Sequence, residues 1–172
     1  MKYLRQFSVI LMISLIGEVL HSLIPLPVPA SIYGLAILFT ALSGVLTSLV
    51  SVLTMSVFFG LNHKEYTTLL PKSITTAIGM GVSEELGGYV TLTVAIIIIT
   101  GILGSILAEA ACRVFHITEP VAKGVAIGTA SHAIGTSKAM EMGETEGAVS
   151  GLSIAVAGLL TVAGASVFAC FL

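Results

Sequence analysis

The chain has 172 residues, of which 56% are hydrophobic and 9% charged, with a formal net charge of -2 and a mean hydropathy of +1.08. Soluble domains carry roughly 25% charged residues, so this composition excludes one and points to an integral membrane protein. The few charges form no basic patch, which argues against a nucleic-acid partner, and the two isolated cysteines exclude a disulfide framework or a paired-thiol metal or redox centre.

The chain opens with Lys2 and Arg5 ahead of an apolar run from Phe7 to Ile24 that is interrupted by Glu18 and His21. No small-x-small cleavage signature follows, so the run reads as a retained first helix, about Leu4 to Ile24, rather than a removed leader. Glu18 faces either a polar cavity or partner, or the nearby interface. The basic start favours a cytoplasmic amino terminus. Pro25, Pro27 and Pro29 then end any helix, because proline lacks the amide donor and crowds the preceding turn.

From Ala30 to Gly60 there is neither proline nor charge. A helix of that length is about 45 Å long against a hydrocarbon core of about 30 Å, so it must tilt or break, with Ser43-Gly44 the best place for a break. Asn62-His63-Lys64-Glu65 is a polar connection. The unit from Tyr66 to Gly88 holds a polar island, Pro71 to Gly81, and stops at Gly87-Gly88. Val90 to Ala111 is the cleanest spanning segment. After the polar stretch from Arg113, Thr118-Glu119-Pro120 starts another helix, which carries a second polar island, Thr129 to Gly147. An apolar run then reaches Leu172. With tryptophan absent, Tyr3, Tyr33, Tyr66 and Tyr89 serve as interfacial aromatics. A weak echo at an offset of 60 positions pairs Thr76, Glu84, Gly87 and Leu92 with Thr136, Glu144, Gly147 and Leu152, as a repeat with discontinuous helices would.

The islands are where chemistry is to be sought, because ionisable groups at membrane depth are expensive. A helix over Pro71 to Gly81 places Lys72, Thr75, Thr76 and Gly79 on one face, donors suited to a carboxylate, with Pro71 at a first helical position whose free amides favour an anion. The plainer alternative is small-residue packing with Lys72 snorkelling to the headgroups. In the second island His132, Gly135, Lys138, Glu141 and Glu144 recur every three residues, and Lys138 can pair with Glu141. Ser131, His132, Thr136 and Lys138 join Lys72, Thr75 and Thr76 as the candidate substrate-binding set. His132 and Glu141 are candidate proton-coupling groups, since histidine titrates near neutrality. The plainer reading of His132 is a buried imidazole bonded to a neighbouring carbonyl. Glu141, Glu144 and Glu146 read as a solvated or mouth-lining cluster rather than a catalytic pair. Gly124-x-x-x-Gly128 and Gly147-x-x-x-Gly151 are close-packing pairs. No nucleophile stands beside a base, and His132 with Glu141 is too sparse for a metal, so neither catalysis nor a metal or other cofactor is expected.

The runs Leu69-Leu70-Pro71-Lys72-Ser73-Ile74-Thr75-Thr76 and Gly128-Thr129-Ala130-Ser131-His132-Ala133-Ile134-Gly135-Thr136, with Glu141 to Ala148, closely resemble the LrgB/CidB family from about residue 42 to the carboxyl terminus. The opening, with Arg5-Gln6, Gly17-Glu18 and Pro27 to Leu35, is similar to the start of an LrgA/CidA holin-like protein. The resemblance therefore implies two parts, residues 1–41 and 42–172, joined within a hybrid helix. The plastid glycolate/glycerate translocators are natural fusions of this kind. One departure is Ala77, where the family commonly has proline, whose loss would relax a helix break. The family is associated with holin and antiholin-like control of murein hydrolase export and lysis, and with movement of pyruvate, acetate, glycolate or glycerate. The expectation is an all-α, polytopic inner-membrane protein of about five or six helical segments, some discontinuous or re-entrant. Two broken helices would meet near mid-membrane around a small organic anion, with a second copy or an LrgA/CidA-type partner completing the assembly.

Overall fold

A computed structural model describes residues 30–172. The expected first helix, its proline stop, Glu18, His21 and most of the holin-like opening lie outside the described residues. The chain divides into units Met1–Thr40 and Ala41–Leu172, and the account below concerns the second. The elements are α1 (Ala30–Phe59), α2 (His63–Leu69), α3 (Thr76–Glu85), α4 (Val90–Val114), α5 (Pro120–Met142), α6 (Glu144–Phe168) and a closing 3-10 turn, Ala169–Phe171. No strand occurs among the described residues. The protein is an all-α polytopic membrane protein: Gly34–Phe59, Val90–Val114 and Glu144–Phe171 are long and apolar enough to cross a bilayer, with mean hydropathies of 2.1, 2.5 and 2.2.

Two sequence expectations are corrected. The long helix does not break at Ser43-Gly44, because α1 is continuous. At Gly44 the hydrogen in place of a side chain admits Thr129, whose Oγ1 would lie 3.1 Å from an added Cβ. Nor is Pro71 to Gly81 one helix. Pro71 to Ser73 form turns, Thr75 is extended (φ -62°, ψ 144°), and α3 begins at Thr76. The reversal is present with alanine at position 77.

Helices α2 and α3 form a hairpin. Asn62 starts α2 by a reciprocal cap, Glu65 N donating to its Oδ1 at 3.0 Å and Asn62 N donating to Glu65 Oε2 at 2.9 Å. The end of α3 and the start of α4 meet the last turn of α2: Tyr89 N donates to Thr68 Oγ1 at 2.8 Å, and Thr93 Oγ1 bridges Thr68 O and Ser83 Oγ. The Lys64 ammonium lies 4.3 Å from the centre of the Tyr89 ring. Pro71 to Thr75 is thus the tip, reaching inward from the face at which α1 ends and α4 begins.

The second island folds the same way from the opposite face. His132 has φ 43° and ψ -142° inside α5, a region that side chains other than glycine's rarely occupy. A straight helix would hold Ile127 and Ala139 roughly 18 Å apart, yet both pack with Ala108 and Met142 in one cluster. Lys123 and Met142 line one cleft beside Arg113 at the end of α4. Helix α5 is therefore a re-entrant hairpin with its tip at His132, and both arms end near the α4 carboxyl end. Each hairpin is followed by a spanning helix, α4 and then α6, the order that an inverted repeat would have. At the 60-position offset the tip residue Lys72 corresponds to the tip residue His132.

The main core joins Val45, Leu49 and Val52 of α1 with Tyr66, Leu70 and Ile74 around the first hairpin, and with Ala157 and Ala165 of α6. Tyr66 Oη closes it by donating to Phe168 O at 2.9 Å. Gly124 and Gly128 face α6 at Glu146 O and Ser150 O, where a Cβ would not fit. The second glycine pair differs, since Gly147 packs on Met140 but Gly151 faces open space.

Candidate functional site

Both hairpin tips lie near mid-depth. Ser73 Oγ is 3.0 Å from Ser48 Oγ of α1, and Ser48 is roughly 16 Å along the helix from Phe59, about half of a 30 Å core. His132 packs on Gly101, near the middle of α4, and its Nε2 donates to Ile97 O at 2.9 Å. Ile97 links the second tip to α3, since its side chain also fills the space left by Gly79.

A chamber of about 370 Å³ lies between the first tip, α1 and the first arm of α5, with polar lining from Ser43, Thr47, Ser48, Lys72, Ser73 and Thr129. The local bonding sets what it offers. Thr47 Oγ1 donates to Ser43 O at 2.7 Å and Thr129 Oγ1 donates to Val125 O at 2.7 Å, so these hydroxyls present oxygens to the chamber. Lys72 Nζ donates to Ser73 Oγ at 3.1 Å. An ammonium has three donors, which leaves two for another partner. Among the described residues Lys72 has no carboxylate partner. A cation held at membrane depth beside hydroxyls is suited to a small anion.

The structure divides the candidate set. Lys72 lines the chamber and Thr129 of the second island meets it there. Thr75 is half-buried at the start of α3 and Thr76 begins that helix, and neither lines the chamber. Ser131 is buried against Gly104. His132 is 2% exposed and bonded to a carbonyl, the plainer of its two sequence readings. Thr136 Oγ1 is 2.7 Å from Ser150 Oγ of α6 and donates to His132 O at 3.0 Å, bracing the tip. Lys138 lies in the second arm of α5, away from the chamber, 2.7 Å from Glu109 Oε1 and 3.1 Å from Glu141 Oε2. Glu141 is exposed beside it, whereas Glu146 is buried and 3.9 Å from Lys123. Of the acidic cluster, Glu141 and Glu144 are thus exposed and Glu146 is turned inward.

Sequence reasoning passed over the α1 hydroxyls. Ser43, Thr47, Ser51 and Thr54 recur every three or four residues through an otherwise apolar run, and that stripe is the signal that finds them. Ser73 and Thr129 lay inside the islands but were not singled out as lining residues.

The LrgB-like family matches residues 31–171. The chain is 42% identical over 128 residues to holin-like protein CidB of Staphylococcus epidermidis, an alignment covering 74% of this chain and 56% of that protein. It is 41% identical over 122 residues to holin-like protein CidB of Staphylococcus aureus, covering 71% and 53%. With antiholin-like protein LrgB of Bacillus mycoides it shares 34% identity over 130 residues, covering 76% and 56%. The chain spans a little over half the length of these relatives. No solved structure matches it.

Proposed function

We propose, because this chain belongs to the LrgB-like family, that it carries small organic anions of the pyruvate, acetate, glycolate or glycerate class across the cell's inner membrane. The observation that carries this reading is Lys72, a cation without a carboxylate partner among the described residues, aimed into a hydroxyl-lined chamber of about 370 Å³. That volume equals roughly a dozen waters at about 30 Å³ each, ample for a short carboxylate with part of its hydration. Two hairpins that enter from opposite faces and end at mid-depth suit alternating access, since rocking one repeat against the other opens the chamber to each side in turn. His132, at the tip on which the second hairpin turns, and Glu141, paired with Lys138 at 3.1 Å, are the proposed proton-coupling groups. Residues 1–41 act as a separate holin-like part, and a second copy or an LrgA/CidA-type partner completes the assembly.

The second reading is favoured by the names of the relatives, holin-like protein CidB and antiholin-like protein LrgB: an assembly that controls murein hydrolase export and lysis without a solute site. One experiment separates the two. In proteoliposomes, carrier function predicts saturable uptake of radiolabelled pyruvate or glycolate that falls at least tenfold in Lys72→Ala and in His132→Ala. Undiminished uptake in both variants would falsify the carrier reading, and release of an uncharged dye with no saturable uptake would favour the holin-like one.

A further inference from the structure

Apart from the chamber, a cleft of about 610 Å³ lies at the end of α4, where both arms of the second hairpin finish. Its lining includes Arg113, Lys123, His116 and Thr118, with Glu109 as the one carboxylate. Glu109 is already engaged by Lys138 at 2.7 Å. Lys123 has only a 3.9 Å contact with Glu146, and Arg113 has no carboxylate within ion-pair distance among the described residues. The cleft's lining thus sets two cations, Arg113 and Lys123, against one carboxylate, Glu109, and offers the guanidinium, ammonium and hydroxyl donors that a phosphate takes.

A second cavity of about 250 Å³ adjoins it, and Cys112 and Ile117 line both. This one is an apolar groove between α4 and the first arm of α5, ending at Ala130 and Ser131. Along α4 it is lined by Gly104, Leu107, Ala108, Ala111 and Phe115, a single helical face. From Gly104 to Phe115 that face is roughly 16 Å long, close to the depth of one leaflet's hydrocarbon. A cationic cleft at the membrane surface, continuous with an apolar slot one leaflet deep, matches an amphiphile with an anionic head. Basic pockets between membrane helices take anionic headgroups for this reason.

We propose that cleft and groove together form a binding site for one anionic phospholipid, its phosphate held by Arg113 and Lys123 and one acyl chain laid along α4 toward Ser131. The site is separate from the Lys72 chamber and holds whether or not the carrier reading does. A bound lipid would brace the second hairpin through its first arm.

The test uses the full chain purified in a neutral detergent, with native mass spectrometry and thermal melts as readouts. Phosphatidylglycerol is expected to give a saturable one-to-one adduct and to raise the melting temperature, while phosphatidylcholine and glycerol 3-phosphate at the same concentrations do neither. Arg113→Gln with Lys123→Gln should weaken the adduct by roughly fivefold per cation, and Arg113→Lys with Lys123→Arg should keep it. Ala111→Phe fills the groove without touching charge and should also lose the adduct. Equal retention of phosphatidylcholine by the unaltered chain overturns the proposal, and so does glycerol 3-phosphate stabilising as well as the lipid. Full phosphatidylglycerol binding in Ala111→Phe, or in the doubly neutralised variant, overturns it as well.

Discussion

The imidazole of His132 donates from Nε2 to the carbonyl oxygen of Ile97 at 2.9 Å, which pins the reversal of the second hairpin to the middle of a spanning helix. The bond fixes the tautomer, with the proton on Nε2, and satisfies a ring that is only 2% exposed. It also explains how a residue with φ 43° persists, since tertiary contacts hold it there.

Gly101 should be intolerant of a side chain. A Cβ there would lie 2.6 Å from His132 Cε1 and 3.0 Å from Ile134 Cβ, so Gly101→Ala is expected to destabilise the protein by about 1–3 kcal/mol through overpacking. Gly151→Ala is the matched control, because it meets open space within α6 and should be neutral or gain up to about 1 kcal/mol in helix propensity. Thermal unfolding of both in detergent checks the pair, and a Gly101→Ala melt no lower than that of Gly151→Ala would contradict the packing described.

Replacing His132 by glycine and by alanine separates backbone strain from the imidazole. Both lose the bond to Ile97 O, but only glycine adopts the positive φ freely. His132→Gly should therefore melt above His132→Ala, by an amount corresponding to about 1 kcal/mol or more of relieved strain, with both variants expected to be inactive in carboxylate uptake. The reverse order of melting temperatures would mean that the reversal lies elsewhere.

Topology gives the most direct check on the hairpin. Glu119 and Glu144 flank α5, whose 23 residues would carry a straight helix roughly 34 Å, enough to cross the bilayer. In a background lacking Cys112 and Cys170, cysteines at 119 and 144 should react with an impermeant maleimide from the same side, and one at Glu85 from the other. Labelling of 119 and 144 from opposite sides would rule out the re-entrant fold.

The chamber hydroxyls should tune affinity. Ser48→Ala and Ser73→Ala each break the 3.0 Å contact beside Lys72. Each is expected to raise the half-saturating carboxylate concentration several-fold, consistent with about 0.5–1.5 kcal/mol per hydrogen bond. Thr75→Val, outside the chamber, and Thr129→Val, whose hydroxyl proton is already given to Val125 O, should change it little. Uptake kinetics across the four variants test the assignment, which fails if Thr75→Val has the largest effect.

Membrane class, helical content and the two polar islands were legible in the residues themselves, because a bilayer admits long uncharged runs and penalises every charge placed between them. The helix start at Pro120 was readable for a local reason, proline geometry, whereas Asn62 to Glu65, read as a polar connection, caps and opens α2. The grouping of residues was not. His132 carries no glycine or proline signal, and only its contacts with Gly101 and Ile97 make it a reversal. Lys72 looked like a partner for Thr75 and Thr76 along one helix, but the turn at Pro71 to Ser73 sends it instead toward Ser48 and Thr129, far away in the chain. The α1 hydroxyls bond their own helix's carbonyls as such residues commonly do, so nothing local marks them as chamber walls. Residue type and spacing fixed which segments could enter the membrane, while long-range packing chose which side chains meet there, because burial depends on neighbours that sequence spacing does not name.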